Sequence, residues 1–300
     1  MKICKSSALK KFKNEIGQAN HFLITTLIGL DGVKSGEVKK NDEFDAAWNP
    51  KDVIASANRS RIFVIKSALS WIVDCLDMYL RLCNRRPKLI NEGLSRKFDG
   101  TGHSVYQKYL VIVEEYEVDK VDQAVIDLLI CWRNRMVHFD ADNKLQEFSK
   151  KILKCDLETD ERAKKCHLNS NQMLKAFEEK KCPTFKEIAF LISKAIEFIE
   201  KLDQMILSRL NIMEILDDTI CYVLKRDQKI FDGIFSKNDI ERRRHKIIEF
   251  MKSNGFMDLE NNTEREERYI NSICQLSYKE AKEKVLRGTF LNVEERNEMC

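Results

Sequence analysis

From Thr184 to Leu210 apolar side chains return every three or four residues, at Phe185, Ile188, Leu191, Ile192, Ala195, Ile196, Ile199, Leu202 and Ile206. That spacing lays one continuous apolar stripe along a helix, and a stripe of this length must be covered by other elements of the chain. Thr184 and Glu187, just after Pro183, have the spacing of a capping box that would start the helix. A chain that carries such a helix is committed to a helical core, and little elsewhere opposes it. Only three prolines and ten glycines punctuate the 300 residues. Leu, Ile, Lys and Glu dominate, which suits helices better than strands and tight turns.

The same periodicity predicts a helix over 9–30 that ends at the Asp31-Gly32 turn, and a long one over 51–83, where Ile54, Phe63, Leu69, Ile72, Leu76 and Leu80 recur. Pro87 prevents that helix from continuing. Gly93, Gly100 and Gly102 predict a loop over 91–104, followed by helices over 105–117 and 121–138. From 143 to 181 the chain is polar with brief apolar spacing, and 156–171 reads as a solvated excursion or a surface helix. Beyond Asn211 the helices shorten, with loops near Asp232-Gly233, Asn254-Gly255 and Asn261-Asn262. The expected architecture is all-α: a helical domain over 1–210 and a small, mainly helical C-terminal unit over 211–300.

Charge is plentiful but balanced, with 52 basic and 48 acidic side chains and a net charge of +4. A general nucleic-acid coat is therefore excluded, and any nucleic-acid contact should be a local patch. Two basic runs qualify, Arg81 to Lys88 at the end of the long helix and Arg242 to Lys246 on an amphipathic segment. The second lies near Glu264, Glu266 and Glu267 in sequence, so a charge-paired surface is the plainer reading of it. The ten cysteines form no CxxC pair and no regular framework, which predicts reduced thiols in a cytoplasmic protein. Cys155, Cys166, His167 and Cys182 have no paired zinc spacing, so no metal and no other cofactor is expected. The run His21 to Leu30 lacks the flanks of a signal peptide, and no apolar stretch approaches the roughly 20 residues that span a bilayer. Phosphate-loop, dinucleotide-fold, zincin and hydrolase-elbow signatures are all missing.

One stretch carries chemistry: "AVIDLLICWRNRMVHFDADNKL", residues 124 to 145. An apolar helix ends there in Arg133, Asn134 and His138. Val121, Val125, Leu128, Trp132 and Met136 share one face, and Asp127, Cys131, Asn134 and His138 follow the opposite side. At about 100° per residue, Arg133 and His138 project about 140° apart on a continuous helix. They converge only if the helix ends or bends here, or if a second copy supplies the missing half. Asn134, one turn before His138, is placed to orient the imidazole.

Arg133, the polar Asn134 and then His138 resemble the motif of the HEPN family (higher eukaryotes and prokaryotes nucleotide-binding domains), in its ribonuclease branch. Two other Arg-to-His pairs have a permitted spacing, Arg96…His103 and Arg162…His167, but neither follows a long apolar helix or has a polar successor to its arginine. The resemblance covers about 1–210 in outline and implies a HEPN-like helical bundle that dimerises so that two motifs line one cleft. It implies metal-free RNA cleavage by 2′-OH attack, leaving a 2′,3′-cyclic phosphate, with Arg133, Asn134 and His138 catalytic. It also implies a toxin or anti-phage effector with a neutralising or defence-system partner protein. The residue types fit: imidazole moves protons near neutral pH, and guanidinium offers paired donors to a phosphate as charge builds. Arg135, Arg85 and Arg86 are candidate RNA-phosphate contacts. Two alternatives remain open, a non-catalytic HEPN-like binding or scaffold module and a DNA-binding regulator.

Overall fold

The computed structural model describes residues 1–41, 43, 47–138, 143–155 and 157–291. Among them the chain is all-α apart from one antiparallel ribbon, in which Lys2–Ile3 (β1) pairs with Phe256–Met257 (β2). Among the described residues no helix is long and apolar enough to cross a membrane. The described residues group into two compact units. One comprises Lys11–Tyr79 and Thr101–Lys201. The other comprises the described residues of Met1–Lys10, Leu80–Gly100 and Leu202–Cys300. This grouping draws each unit from separate stretches, and three of its four boundaries fall inside helices.

The first of these units holds most of α1 (Ser7–Ser35), α2 (Val53–Cys83) and α9 (Phe185–Ser208). It also holds α4 (Val105–Glu115), α5 (Lys120–Val137), α6 (Glu147–Cys155), a 3-10 turn at Leu157–Thr159, α7 (Glu161–Lys165) and α8 (Ser170–Glu178). The capping box of α9 forms as its spacing predicts: Thr184 N–H donates to Glu187 at 2.6 Å, and Glu187 N–H donates to Thr184 Oγ1 at 3.3 Å. Its apolar stripe is buried at Ile188, Leu191, Ala195, Ile199, Leu202 and Ile206. The polar stretch 143–181 is more ordered than its composition suggests. Its short helices bury Leu153, Ala163, Met173, Leu174 and Phe177, and Asp160 and Asn169 cap two of them. Asp156 lies outside the described residues.

Two expectations about glycine are corrected. α1 passes through Asp31-Gly32 and stops only at Gly36, whose φ of 81° suits a residue without a Cβ. Gly32 serves a close approach instead, since a Cβ there would come within 2.7 Å of Val38 Cγ2. The predicted loop over 91–104 contains a helix, α3 (Glu92–Asp99), because Asn91 caps Leu94 N–H at 2.8 Å and Leu94 and Phe98 are buried.

The other unit contains α3 with α10 (Ile212–Arg226), α11 (Gln228–Phe235), α12 (Ile240–Ser253), α13 (Glu264–Gln275) and α14 (Tyr278–Arg287). Asp232-Gly233, expected in a loop, lies inside α11, where Asp227 caps the helix and Phe231 and Phe235 stack at 5.0 Å. Buried Asp217 gathers three donors, the Tyr269 hydroxyl at 2.7 Å, Thr289 Oγ1 at 2.6 Å and Phe290 N–H at 2.7 Å.

Candidate active site at the end of α5

α5 begins at Asp119, whose carboxylate accepts Val121 and Asp122 N–H at 2.9 and 3.1 Å. From Ala124 to Trp132 the helix is buried on every side. The side expected to oppose the apolar stripe is therefore also interior at Asp127 and Cys131. Asp127 is satisfied there by Ser149 Oγ at 2.6 Å and Gln146 N–H at 3.2 Å, which ties α5 to the start of α6. Burial, and then the neighbouring Asp127 charge, pushes the Cys131 thiol far above its ordinary pKa, so it is an inert filler of the core.

Toward its C-terminal end the helix is pinned by two long side chains. Trp132 Nε1 donates to the Lys181 carbonyl at 2.9 Å, and its ring meets Phe177 edge-on with centroids 6.0 Å apart. Arg135 donates to the Asn143 carbonyl at 2.7 Å and the Phe177 carbonyl at 3.0 Å, and its guanidinium lies 4.0 Å from the centre of the Phe177 ring. Arg135 is thus committed to the fold, a use that its place beside the phosphate candidates did not suggest.

Arg133 is held differently. Its side chain is only 14% exposed, yet its one described ion partner is Asp74 of α2 at 3.8 Å, beyond hydrogen-bond reach. Its Nε is buried with no hydrogen-bond partner among the described residues. The helix ends at Val137, and His138 takes an extended backbone (φ −104°, ψ 118°) with its N–H on the Asn134 carbonyl at 3.0 Å. The continuous-helix geometry that separates Arg133 from His138 by about 140° therefore stops one residue short of the histidine. His138 is exposed and Asn134 half-buried. Among the described residues neither side chain makes a hydrogen bond, so the link between them is main-chain and not the expected amide–imidazole contact. Asp74, 76% exposed, is a participant that no local signal in the sequence identifies.

Arg85 and Arg86 belong to the other unit, exposed in the turn after α2, and Arg86 Nε stands 3.9 Å from Asp218. Arginines of the basic run of α12 are engaged within the unit. Arg243 is buried and donates to the carbonyls of Cys274, Leu276 and Lys237, while Arg244 bonds Asn271 and Glu267, each at 2.7 Å. Among the described residues no group of three His, Cys, Asp or Glu side chains is arranged to hold a metal ion, and the nine described cysteines are free. Cys300 lies outside the described residues.

The fold is all-helical apart from one short ribbon, and its buried helix α5 leads into a mostly buried Arg133, a half-buried Asn134 and an exposed His138. Comparison with protein-family models, with curated proteins and with solved structures gave no match.

Proposed function

We propose that the chain is a metal-independent endoribonuclease of HEPN type, working as a homodimer and serving as a toxin or anti-phage effector. The observation that carries this reading is Arg133: a mostly buried guanidinium that, among the described residues, has an unpartnered Nε and no hydrogen bond, at the end of a buried helix beside Asn134 and exposed His138. A buried donor left unbonded costs about 1–3 kcal/mol; Arg243 also has an unbonded Nε but bonds three carbonyls, whereas Arg133 has no other hydrogen bond among the described residues to offset the cost. A phosphate oxygen would supply the missing acceptor.

In the proposed reaction the His138 imidazole accepts the proton of the 2′-OH as O2′ attacks phosphorus. Arg133 takes up the negative charge that develops on the phosphoryl oxygens, and the P–O5′ bond breaks. The departing O5′ receives a proton from the imidazolium of the second copy, leaving a 2′,3′-cyclic phosphate and a 5′-hydroxyl. Asn134 positions the scissile phosphate. Pairing of two copies is supported by exposed Phe63 and Trp71 on α2, the latter three residues before Asp74. The nucleophile belongs to the RNA itself, so the proposed step calls on no metal.

A non-catalytic RNA-binding module is the second reading, favoured by Asp74, whose carboxylate competes with phosphate for Arg133. Cleavage of RNA in EDTA by wild type and by His138→Ala, both checked for folding and dimerisation, separates the two. Loss of cleavage in the variant, with cyclic-phosphate ends from wild type, is expected. Binding without cleavage by either protein favours the module, and cleavage that survives the substitution removes His138 from the mechanism.

A further inference from the structure

A pocket of about 690 Å³ opens in the unit that contains α10 to α14, within the roughly 300–1,000 Å³ typical of small-molecule sites. Its floor is apolar: Ile248 from α12, Phe256 and Met257 from β2, and Leu259. Pairing of β1 with β2 brings the chain's first residues to this pocket, so that Lys5 and Lys10 line it together with Lys252 of α12. Gly255, at φ 94°, lets the chain turn tightly beneath them. A Cβ there would lie 3.4 Å from both Lys10 Nζ and the Lys5 carbonyl oxygen.

The charges are unevenly used. Arg244, also at the pocket, is taken by Asn271 and Glu267. Lys5, Lys10 and Lys252 are exposed, and among the described residues none makes an ion pair or a side-chain hydrogen bond. Two carboxylates line the same pocket. Asp258 is held by Asn261 at 2.7 Å, whereas Glu260 has no partner among the described residues.

We infer that this pocket binds a nucleotide, with its phosphates among Lys5, Lys10 and Lys252 and its base on Ile248, Met257 and Leu259. Three ammonium groups suit a multiply charged phosphate better than a single carboxylate. An apolar wall suits a flat base, and unpaired Glu260 offers an acceptor for ribose hydroxyls. A fatty acid has neither the charge nor the donors. The inference is independent of the ribonuclease proposal, because it uses no residue of α5.

The test is titration calorimetry of the full chain at low ionic strength with ATP, AMP, adenosine and inorganic phosphate. ATP should bind more tightly than AMP, and adenosine and phosphate alone each about tenfold or more weakly than ATP. Lys10→Ala and Lys252→Ala, at exposed positions where folding is checked by circular dichroism, should each weaken ATP about tenfold. Leu259→Asn, which adds no charge, should weaken ATP while leaving phosphate binding unchanged. No ATP binding at millimolar concentration overturns the inference. So does phosphate binding equal to ATP, which means a bare anion site. ATP binding untouched by all three substitutions places the nucleotide elsewhere, including at α5, and overturns it as well.

Discussion

Arg135→Ala tests whether the arginine next to the motif holds the fold or the RNA. The substitution removes charged hydrogen bonds to the Asn143 and Phe177 carbonyls and the stacking of guanidinium on the Phe177 ring. Charged hydrogen bonds contribute about 1.5–3 kcal/mol each, and a partly exposed cation–π contact about 0.5–1 kcal/mol. Arg135 is half-buried, so water recovers part of this, and a net loss of about 3 kcal/mol is expected. In a unit of this size that lowers the melting temperature by roughly 6–12 °C. Arg135→Lys keeps the charge without the planar fork and should lose about half as much. Arg133→Ala, by contrast, breaks no hydrogen bond among the described residues and should cost about 1 kcal/mol or less while abolishing cleavage. Thermal and urea unfolding of the three variants, read beside RNA binding, decide the matter. If Arg135→Ala melts with wild type and loses only RNA affinity, the structural assignment of its guanidinium is wrong.

Asp74→Asn removes the carboxylate 3.8 Å from Arg133. Asp74 is well exposed, so its attraction is near the aqueous limit of about 1 kcal/mol, and RNA affinity by filter binding should rise about two- to fivefold. Lys194 is buried between Asp122 at 2.5 Å and Asp160 at 3.1 Å, and Lys201 also pairs with Asp122, at 2.7 Å. Lys194→Met should therefore cost about 3–5 kcal/mol in urea unfolding, and adding Asp122→Asn should restore part of that. The same cluster sets a pH window. Burial pushes Asp160 and Glu197 upward, but hydrogen bonds and the lysines outweigh it and hold both below their ordinary values of 3.8 and 4.5. Burial would likewise lower Lys194 and Lys201, but their carboxylate partners hold both above 10.5. The carboxylate contribution is present above about pH 4.5 and lost as pH falls through the depressed values; the lysine contribution is present below about pH 10 and lost above. Melting temperature against pH should show no step from these four groups between about pH 5 and 10. Asp217→Ala strands three donors and should lower the stability of its own unit by about 2–4 kcal/mol, measured by urea unfolding.

What the sequence shows and what it hides follow from how far apart the cooperating residues lie. The α9 stripe and its Thr184–Glu187 box are local, and they read directly. Gly32 and Gly93 mislead because glycine signals a turn only when the backbone needs it; at Gly32 the need is room for Val38, and at Gly93 the Asn91 cap starts a helix regardless. The helices between 147 and 178 are too short for a period to emerge, though their Asp160 and Asn169 caps are in plain view. In α5 the nearly unbroken apolar run from Ala124 to Trp132 does signal all-round burial. Dividing it into two faces hides that, because Asp127 looks like a polar face until Ser149 and Gln146 are brought to it by the fold. The approach of Asp74 to Arg133, and of Lys5 and Lys10 to Lys252, joins residues far apart in sequence, and no local pattern carries it.

The arginines of this chain show why the end of α5 stands apart from an ordinary helix terminus. Basic residues collect at helix C-termini because the dipole favours them, and that alone would explain an Arg and a His there. The dipole does not explain how differently Arg133 and Arg135 are treated within a single turn. Arg135 bonds two carbonyls and covers a ring. Arg243, as buried as any apolar residue, bonds three carbonyls even though its Nε is also unbonded. Arg133 is mostly enclosed too, but among the described residues it has no hydrogen bond, and its one described counter-charge is exposed and 3.8 Å away. A leucine or methionine would fill the same space at no desolvation cost. The guanidinium sits near where the helix stops, and among the described residues the side chains of His138 and Asn134 also make no hydrogen bond. On the proposed reading, these three polar side chains at the end of α5, without a side-chain hydrogen bond among the described residues, receive a ligand with several oxygens. A phosphodiester supplies those oxygens and, in RNA, the adjacent hydroxyl on which an imidazole can act.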